Sequence, residues 1–211
     1  MTQAVNLDEE TLRTSWTLVA RIKNADDGDS WKRFYDFYSA VIRSMARKAG
    51  LGDDEAQDVL QETMASVAKN IGKFKPSPEH GSFRGWLLQM ARWRIQDQFR
   101  KRLRFATVGD SASESSTTSL IERIPDPREL DFSALGEAEV QDRLKQDALK
   151  ELQLQVKAEH FQIFHLLVVE QKSVSDVAKI VGRSAAQIYL IKHRLSKTLK
   201  DIVRRLDRKL G

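Results

Sequence analysis

The chain has 211 residues, a hydrophobic share of 41%, a net charge of +5 and no cysteine. Its length allows one large domain or two small ones, its composition is that of packed globular material, and the lack of cysteine excludes a disulfide framework and thiolate-held zinc. The opening MTQAVNLDEE is polar and acidic and no apolar run approaches membrane-spanning length, so the expectation is a cytoplasmic chain without membrane insertion.

Apolar residues recur at helical spacing through Leu12, Trp16, Val19 and Ile22. They stop at a breaker from Asn24 to Asp29 and resume with Trp31, Phe34, Tyr35, Tyr38, Val41, Ile42 and Met45. Gly50 and Gly52 close this second helix. A third is predicted from Asp53 to Ile71, with Leu60, Met64, Val67 and Ile71 on one stripe and Gly72 as its stop. The two prolines of KPSPEHG, Lys75 to Gly81, predict a loop. A fourth helix is expected from about Phe83 to Arg104. Composition then changes: residues 106–138 carry SASESSTTS, Pro125, Pro127 and the acids Asp110, Glu114, Glu122, Asp126, Glu129 and Asp131. Such a stretch buries little apolar surface and reads as a flexible acidic linker, its serines Ser111 to Ser119 serving solubility rather than phosphorylation. Helical spacing returns from about Val140 with Leu144, Ala148, Leu152 and Val156, continues over Phe161 to Val169, and ends in two shorter elements. The expected fold is all-α: two small helical domains, residues 1–105 and 139–211, joined by the linker over 106–138.

Charge is unevenly placed. Arg84, Arg92, Arg94, Arg100, Lys101, Arg102 and Arg104 face the single acid Asp97, and Lys192, Arg194, Lys197, Lys200, Arg204, Arg205, Arg208 and Lys209 are opposed only by Asp201 and Asp207. Two separated basic stretches imply two contacts with a polyanion, or simply two solvated helix faces. The first is interleaved with Phe74, Phe83, Trp86, Trp93 and Phe99 beside the proline loop, which suits single-stranded DNA: bases lie on rings while arginines follow the backbone. Trp86, Met90 and Trp93 occupy neighbouring turns, so one tryptophan belongs to the core, and Trp86 is the choice. On the third helix Asp54, Asp58 and Glu62 share a face. A dipole effect explains acids at the helix start but not Glu62. A docking surface for a basic partner fits this row better than a metal site, whose ligands converge from several elements, and no metal or other cofactor is expected.

In SVSDVAKIVGRSAAQIYLIKHR, Ser173 to Arg194, Ser173 pairs with Asp176 and Ser184 with Gln187 in the capping-box arrangement. Ala178 is small where two helices would approach, Gly182 supplies the turn, and Val177, Ile188 and Ile191 fall at buried positions. The pattern predicts a helix-turn-helix with Ala185 onward as its recognition helix, against a plain helical hairpin as the alternative. Arg183, Ser184, Ala185, Gln187 and Lys192 are then placed to reach base edges, and Arg194 and Lys197 to reach phosphates. For Gln187, bidentate contact to adenine and completion of the cap remain two open roles.

The succession DDEAQDVLQETMASV, GSFRGWLLQMARWRIQDQFRKR and helix-turn-helix resembles the extracytoplasmic-function sigma factors of bacterial RNA polymerase, in which a region-two and a region-four domain are joined by a linker. The resemblance covers the chain from about Leu12. It implies a non-enzymatic initiation factor that binds core RNA polymerase and promoter DNA, with an anti-sigma factor as a further partner and a monomeric free state. It implies that Asp54, Asp58, Gln61 and Glu62 dock on the clamp helices of the largest polymerase subunit. Phe74, Lys75, Ser82, Trp93, Arg94 and Arg100 would hold the melted minus-ten strand, and Ser184 to Arg194 would read minus-thirty-five duplex. Two departures stand out: Trp93 and Arg94 follow MAR where many members have asparagine, and SAAQIYLIKHR is more aliphatic than the common recognition helix. A stand-alone helix-turn-helix regulator is the rival, but it leaves the acidic helix and aromatic loop without a role. An enzyme fits worse, since His80, His160, His165 and His193 are scattered and no glycine-rich phosphate loop occurs.

Overall fold

The computed structural model describes residues 18–75, 82–108 and 130–210. Leu12, Trp16, the proline loop from Pro76 to Gly81 and most of the expected linker lie outside them. Every regular element among the described residues is helical. None of these helices is long and apolar enough to cross a membrane. The chain divides into two compact units, residues 1–143 with 209–211 and residues 144–208.

In the first unit the helical residues 18–22, labelled α1, bury Leu18, Val19 and Ile22. The second helix, α2 (Gly28–Lys48), starts inside the expected breaker because the Asp27 side chain accepts the Ser30 backbone N–H at 3.1 Å. Its end carries Arg47 and Lys48, the charge favoured there by the helix dipole, and Gly50 follows at φ 97°, a conformation that favours glycine. Helix α3 (Asp53–Asn70) opens with the Gly52 N–H donating to Glu55 Oε2 at 2.8 Å. Its buried face is Ala56, Val59, Leu60, Thr63 and Val67, with Met64 only partly covered, so the stripe is turned slightly from the predicted one. A single 3-10 turn (Ile71–Lys73) leads toward the loop. Helix α4 (Phe83–Val108) then buries Phe83, Leu87, Ala91, Ile95 and Phe99 against Phe34, Tyr38, Ile42 and Met45 of α2 and Leu60 of α3 in one apolar core.

The stretch expected as a linker over 106–138 is helical at both ends among the described residues. Helix α4 continues to Val108, and α5 (Phe132–Gln155) begins well before Val140. Asp131 starts it, its Oδ1 accepting the N–H groups of Ser133 and Ala134 at 3.0 Å each, so this acid is a cap rather than tether charge. The first turns of α5 pack on the first unit. The Arg92 guanidinium lies 5.7 Å from the Phe132 ring centre, Arg84 meets Glu137 at 3.3 Å, and Lys48 pairs with the buried Glu139. Gly136 permits the approach, since a Cβ there would stand 3.0 Å from Leu88 and 3.2 Å from Met45.

The second unit is built from the rest of α5 with α6 (Ala158–Val168), α7 (Val174–Val181) and α8 (Ala185–Leu210). Its core joins Ala148, Leu152, Ile163, Phe164, Leu167, Val177, Ile188, Ile191, Leu195 and Ile202. The final element is not short: α8 runs for 26 residues, because Ile188, Ile191, Leu195 and Ile202 keep one buried stripe through the basic tail.

Candidate functional site

Three surfaces carry the residues singled out from sequence. On α3, Asp54, Asp58 and Gln61 are exposed, as a docking surface requires, while Glu62 turns toward α4. It meets Lys101 at 3.1 Å and Arg94 at 3.5 Å. Two turns earlier Glu55 receives two bonds from the Arg102 guanidinium. Arg102 and, to a smaller extent, the Gly52 N–H hold the Glu55 carboxyl below the usual carboxylate range. The carboxylate row therefore splits: its solvent side points outward, and its inner side locks α3 to the basic helix. Among the described residues no group of three or more histidines or carboxylates is placed to hold a metal ion.

The second surface is an aromatic pocket of about 390 Å³, lined by Asn70, Lys73, Phe74, Lys75, Trp86, Met90 and Trp93. Phe74 is its floor rather than a projecting platform. It is only 6% exposed and packs on Trp86 and Phe83, with ring centres 4.9 and 5.6 Å away. Lys23, after α1, donates to the Phe74 carbonyl at 2.8 Å and ties down the start of the loop. Trp86 is half-buried, in keeping with its core assignment, whereas Trp93 is 56% exposed at the rim. Ser82 caps α4, its Oγ accepting the Gly85 N–H at 3.0 Å. Arg94 reaches back to Ser66 Oγ at 2.9 Å as well as to Glu62, and Arg100 pairs with Asp97 at 2.8 Å. The pocket thus combines Trp93, Lys73 and Lys75 at its surface with a buried aromatic base, which is chemistry for one unstacked base and its phosphates.

The third surface is the helix-turn-helix. Ser173 Oγ accepts the Asp176 N–H at 3.1 Å, and Gly182 ends α7 in the left-handed region at φ 65°. Ser184 N–H donates to Gln187 Oε1 while Gln187 N–H donates to Ser184 Oγ, both at 3.3 Å, so in this conformation Gln187 completes the cap. Arg183 holds Glu159 of α6 through two bonds of 2.7 and 3.0 Å, and this pairing keeps the Glu159 carboxyl below its ordinary range. Ser184, Ala185, Arg194 and Lys197 are exposed and Lys192 partly so.

Sequence reasoning passed over Asn70 and Lys73 in the pocket and Ala186, Tyr189 and Leu190 on α8, and it took Met90 for packing and His193 for an isolated histidine. The signals existed. Trp86, Met90 and Trp93 are spaced i, i+4, i+7 on α4, and Ala186, Tyr189, Leu190 and His193 are spaced i, i+3, i+4, i+7 on the face away from Ile188, Ile191 and Leu195.

Comparison with known proteins is consistent with this geometry. Residues 34–105, from α2 into α4, match the sigma-70 region 2 family. The chain is also similar to the ECF RNA polymerase sigma factor BldN of Streptomyces coelicolor, with 26% identity over 187 residues that cover 88% of this chain. Those residues span 64% of that relative's length.

Proposed function

We propose that the chain is a sigma factor of the extracytoplasmic-function type, which binds core RNA polymerase and directs promoter recognition, DNA melting and transcription initiation; its likeness to sigma-70 region 2 over residues 34–105 and to an ECF sigma factor supports this reading. The observation that carries this reading is the pocket with exposed Trp93, Lys73 and Lys75 inside the region 2 domain. A duplex reader has no need of an open aromatic cavity rimmed by lysines, whereas a protein that holds a melted strand does.

The roles divide by surface. Asp54, Asp58 and Gln61 on α3 meet a basic partner surface of the polymerase, with Glu62 sharing its charge between that contact and α4. Trp93 stacks on an unpaired base, Lys73 and Lys75 approach its phosphates, and Phe74 with Trp86 supports the ring from beneath. The helix-turn-helix of α7 and α8 reads upstream duplex, with Arg194 and Lys197 at phosphates. The residues between α4 and α5 act as an acidic tether. Phosphodiester chemistry belongs to the polymerase, the protein works in the cytoplasm, and it is a monomer when free. An anti-sigma factor is a further partner on this reading.

The test is gel-shift binding to a promoter duplex with and without core polymerase. Binding only in the presence of core supports the proposal. Tight, sequence-specific binding by the protein alone would favour the stand-alone regulator.

A further inference from the structure

The surface of α8 directly opposite the buried stripe of Ile188, Ile191, Leu195 and Ile202 is formed by Ala186, Tyr189, Leu190, His193 and Lys197. Within the first two turns of this face the phenolic hydroxyl of Tyr189 is the one side-chain hydrogen-bonding group, beside the wholly apolar Ala186 and Leu190. Tyr189 is 59% exposed and Leu190 51%, although neither completes the packing of the second unit. Two polar side chains at the mouth of this helix are meanwhile engaged elsewhere, Gln187 in the Ser184 cap and Arg183 with Glu159. Neither Gln187 nor Ala185 lies at the centre of the outward face; both flank it. Basic residues follow at once, with Arg194, Lys197 and Lys200 exposed along the next turns. An outward apolar patch that leads into cations on a recognition helix matches one feature of duplex DNA in particular. The thymine C5-methyl is the apolar group displayed in the major groove, and alanine or aromatic contacts read it there.

We propose that this recognition helix reads its upstream element mainly through thymine methyl groups, with Ala186, Tyr189 and Leu190 as the specificity-determining residues and Gln187 as a positioning cap. The proposal rests on the sigma-factor reading and deepens it by naming the feature recognised. Ala186 and Leu190 have no donor or acceptor and cannot distinguish bases by hydrogen bonding, so at these positions discrimination comes from shape and methyl burial, and the ring of Tyr189 adds apolar surface beside them. Removing a single methyl, with every hydrogen bond of the base pair kept, should then be felt by the complete polymerase complex.

The experiment uses full-length protein with core polymerase and a promoter duplex located by its own transcription start. Upstream thymines are replaced one at a time by deoxyuridine, and binding is measured by competition. Each contacted methyl should cost about fourfold in affinity, the equivalent of one buried methylene. The penalty should disappear at the affected positions in Leu190→Ser or Tyr189→Ser, both of which replace exposed side chains and should leave helical content unchanged. Gln187→Ala should lower binding equally on all upstream sequences, with the uracil penalties intact. Full affinity for duplex with uracil at every upstream thymine would overturn the proposal. So would an upstream element without thymine on either strand, or undiminished penalties in both serine variants. Failure of the sigma-factor reading looks different: core polymerase would then confer no binding on any duplex.

Discussion

Phe74 and Trp93 line the same pocket but should fail in different ways when truncated. Phe74 is 6% exposed and touches Phe83 and Trp86, so Phe74→Ala opens a cavity. At the low end for a buried phenylalanine this costs about 3 kcal/mol, or about 10 °C in melting temperature for a unit of this size. Trp93 is 56% exposed. Of an aromatic side-chain area of about 200 Å², roughly 90 Å² is covered, which gives an upper bound of about 2 kcal/mol for its contribution to folding. On the proposed function its stacking on a captured base would be worth about 1–3 kcal/mol, or about 5- to 150-fold in open-complex formation. Thermal unfolding by circular dichroism, together with permanganate footprinting in the presence of core polymerase, separates the two effects. Phe74→Ala should melt early, and Phe74→Leu should restore both stability and opening. Trp93→Ala should stay folded at 25 °C yet leave the minus-ten strand poorly reactive, and a pre-opened bubble should not rescue it if the ring holds the strand. Normal opening by Trp93→Ala on both duplex and bubble templates would refute the stacking argument.

Asp58→Lys, on the exposed side of α3, should abolish co-purification with core polymerase at unchanged melting temperature. Glu62→Lys should also lower that temperature, because it removes partners of Arg94 and Lys101, each pair worth about 0.5 kcal/mol. The Glu55–Arg102 pair makes stability depend on pH. A carboxyl held below its unfolded value of about 4.3 stabilises the fold above that pH and loses the contribution as pH falls through its folded value. The melting temperature of the wild type should therefore drop more steeply than that of Arg102→Gln in a series of acidified samples. Gly136→Val would drive its side chain into Leu88 and Met45, and should destabilise the packing of α5 on the first unit by about 1–3 kcal/mol in denaturant titrations.

The helices of both units were legible in the sequence because their buried faces repeat at helical spacing: Phe34, Tyr38 and Met45 in α2, and Leu144, Ala148 and Leu152 in α5. The two capped helices around the left-handed Gly182 were legible because caps and turn agree locally. The start of α5 was not. Asp131 and Gly136 are loop residues by composition, and only the surface of Leu88 and Met45 makes the glycine a close-packing position. Basic residues on α4 also misled by proximity in sequence, because their carboxylate partners Glu55 and Glu62 come from α3. Phe74 appeared equivalent to Trp93 as a stacking ring, and burial distinguishes them only once Trp86 and Phe83 are seen beneath it.

The most direct test of the account is run-off transcription of genomic fragments by core polymerase with and without the purified protein. The account predicts discrete transcripts that appear only with the protein, and that are lost with Asp58→Lys at the binding step and with Trp93→Ala at the opening step. Identical transcript patterns in the presence and absence of the protein, under conditions where another sigma factor drives its own promoter, would contradict it.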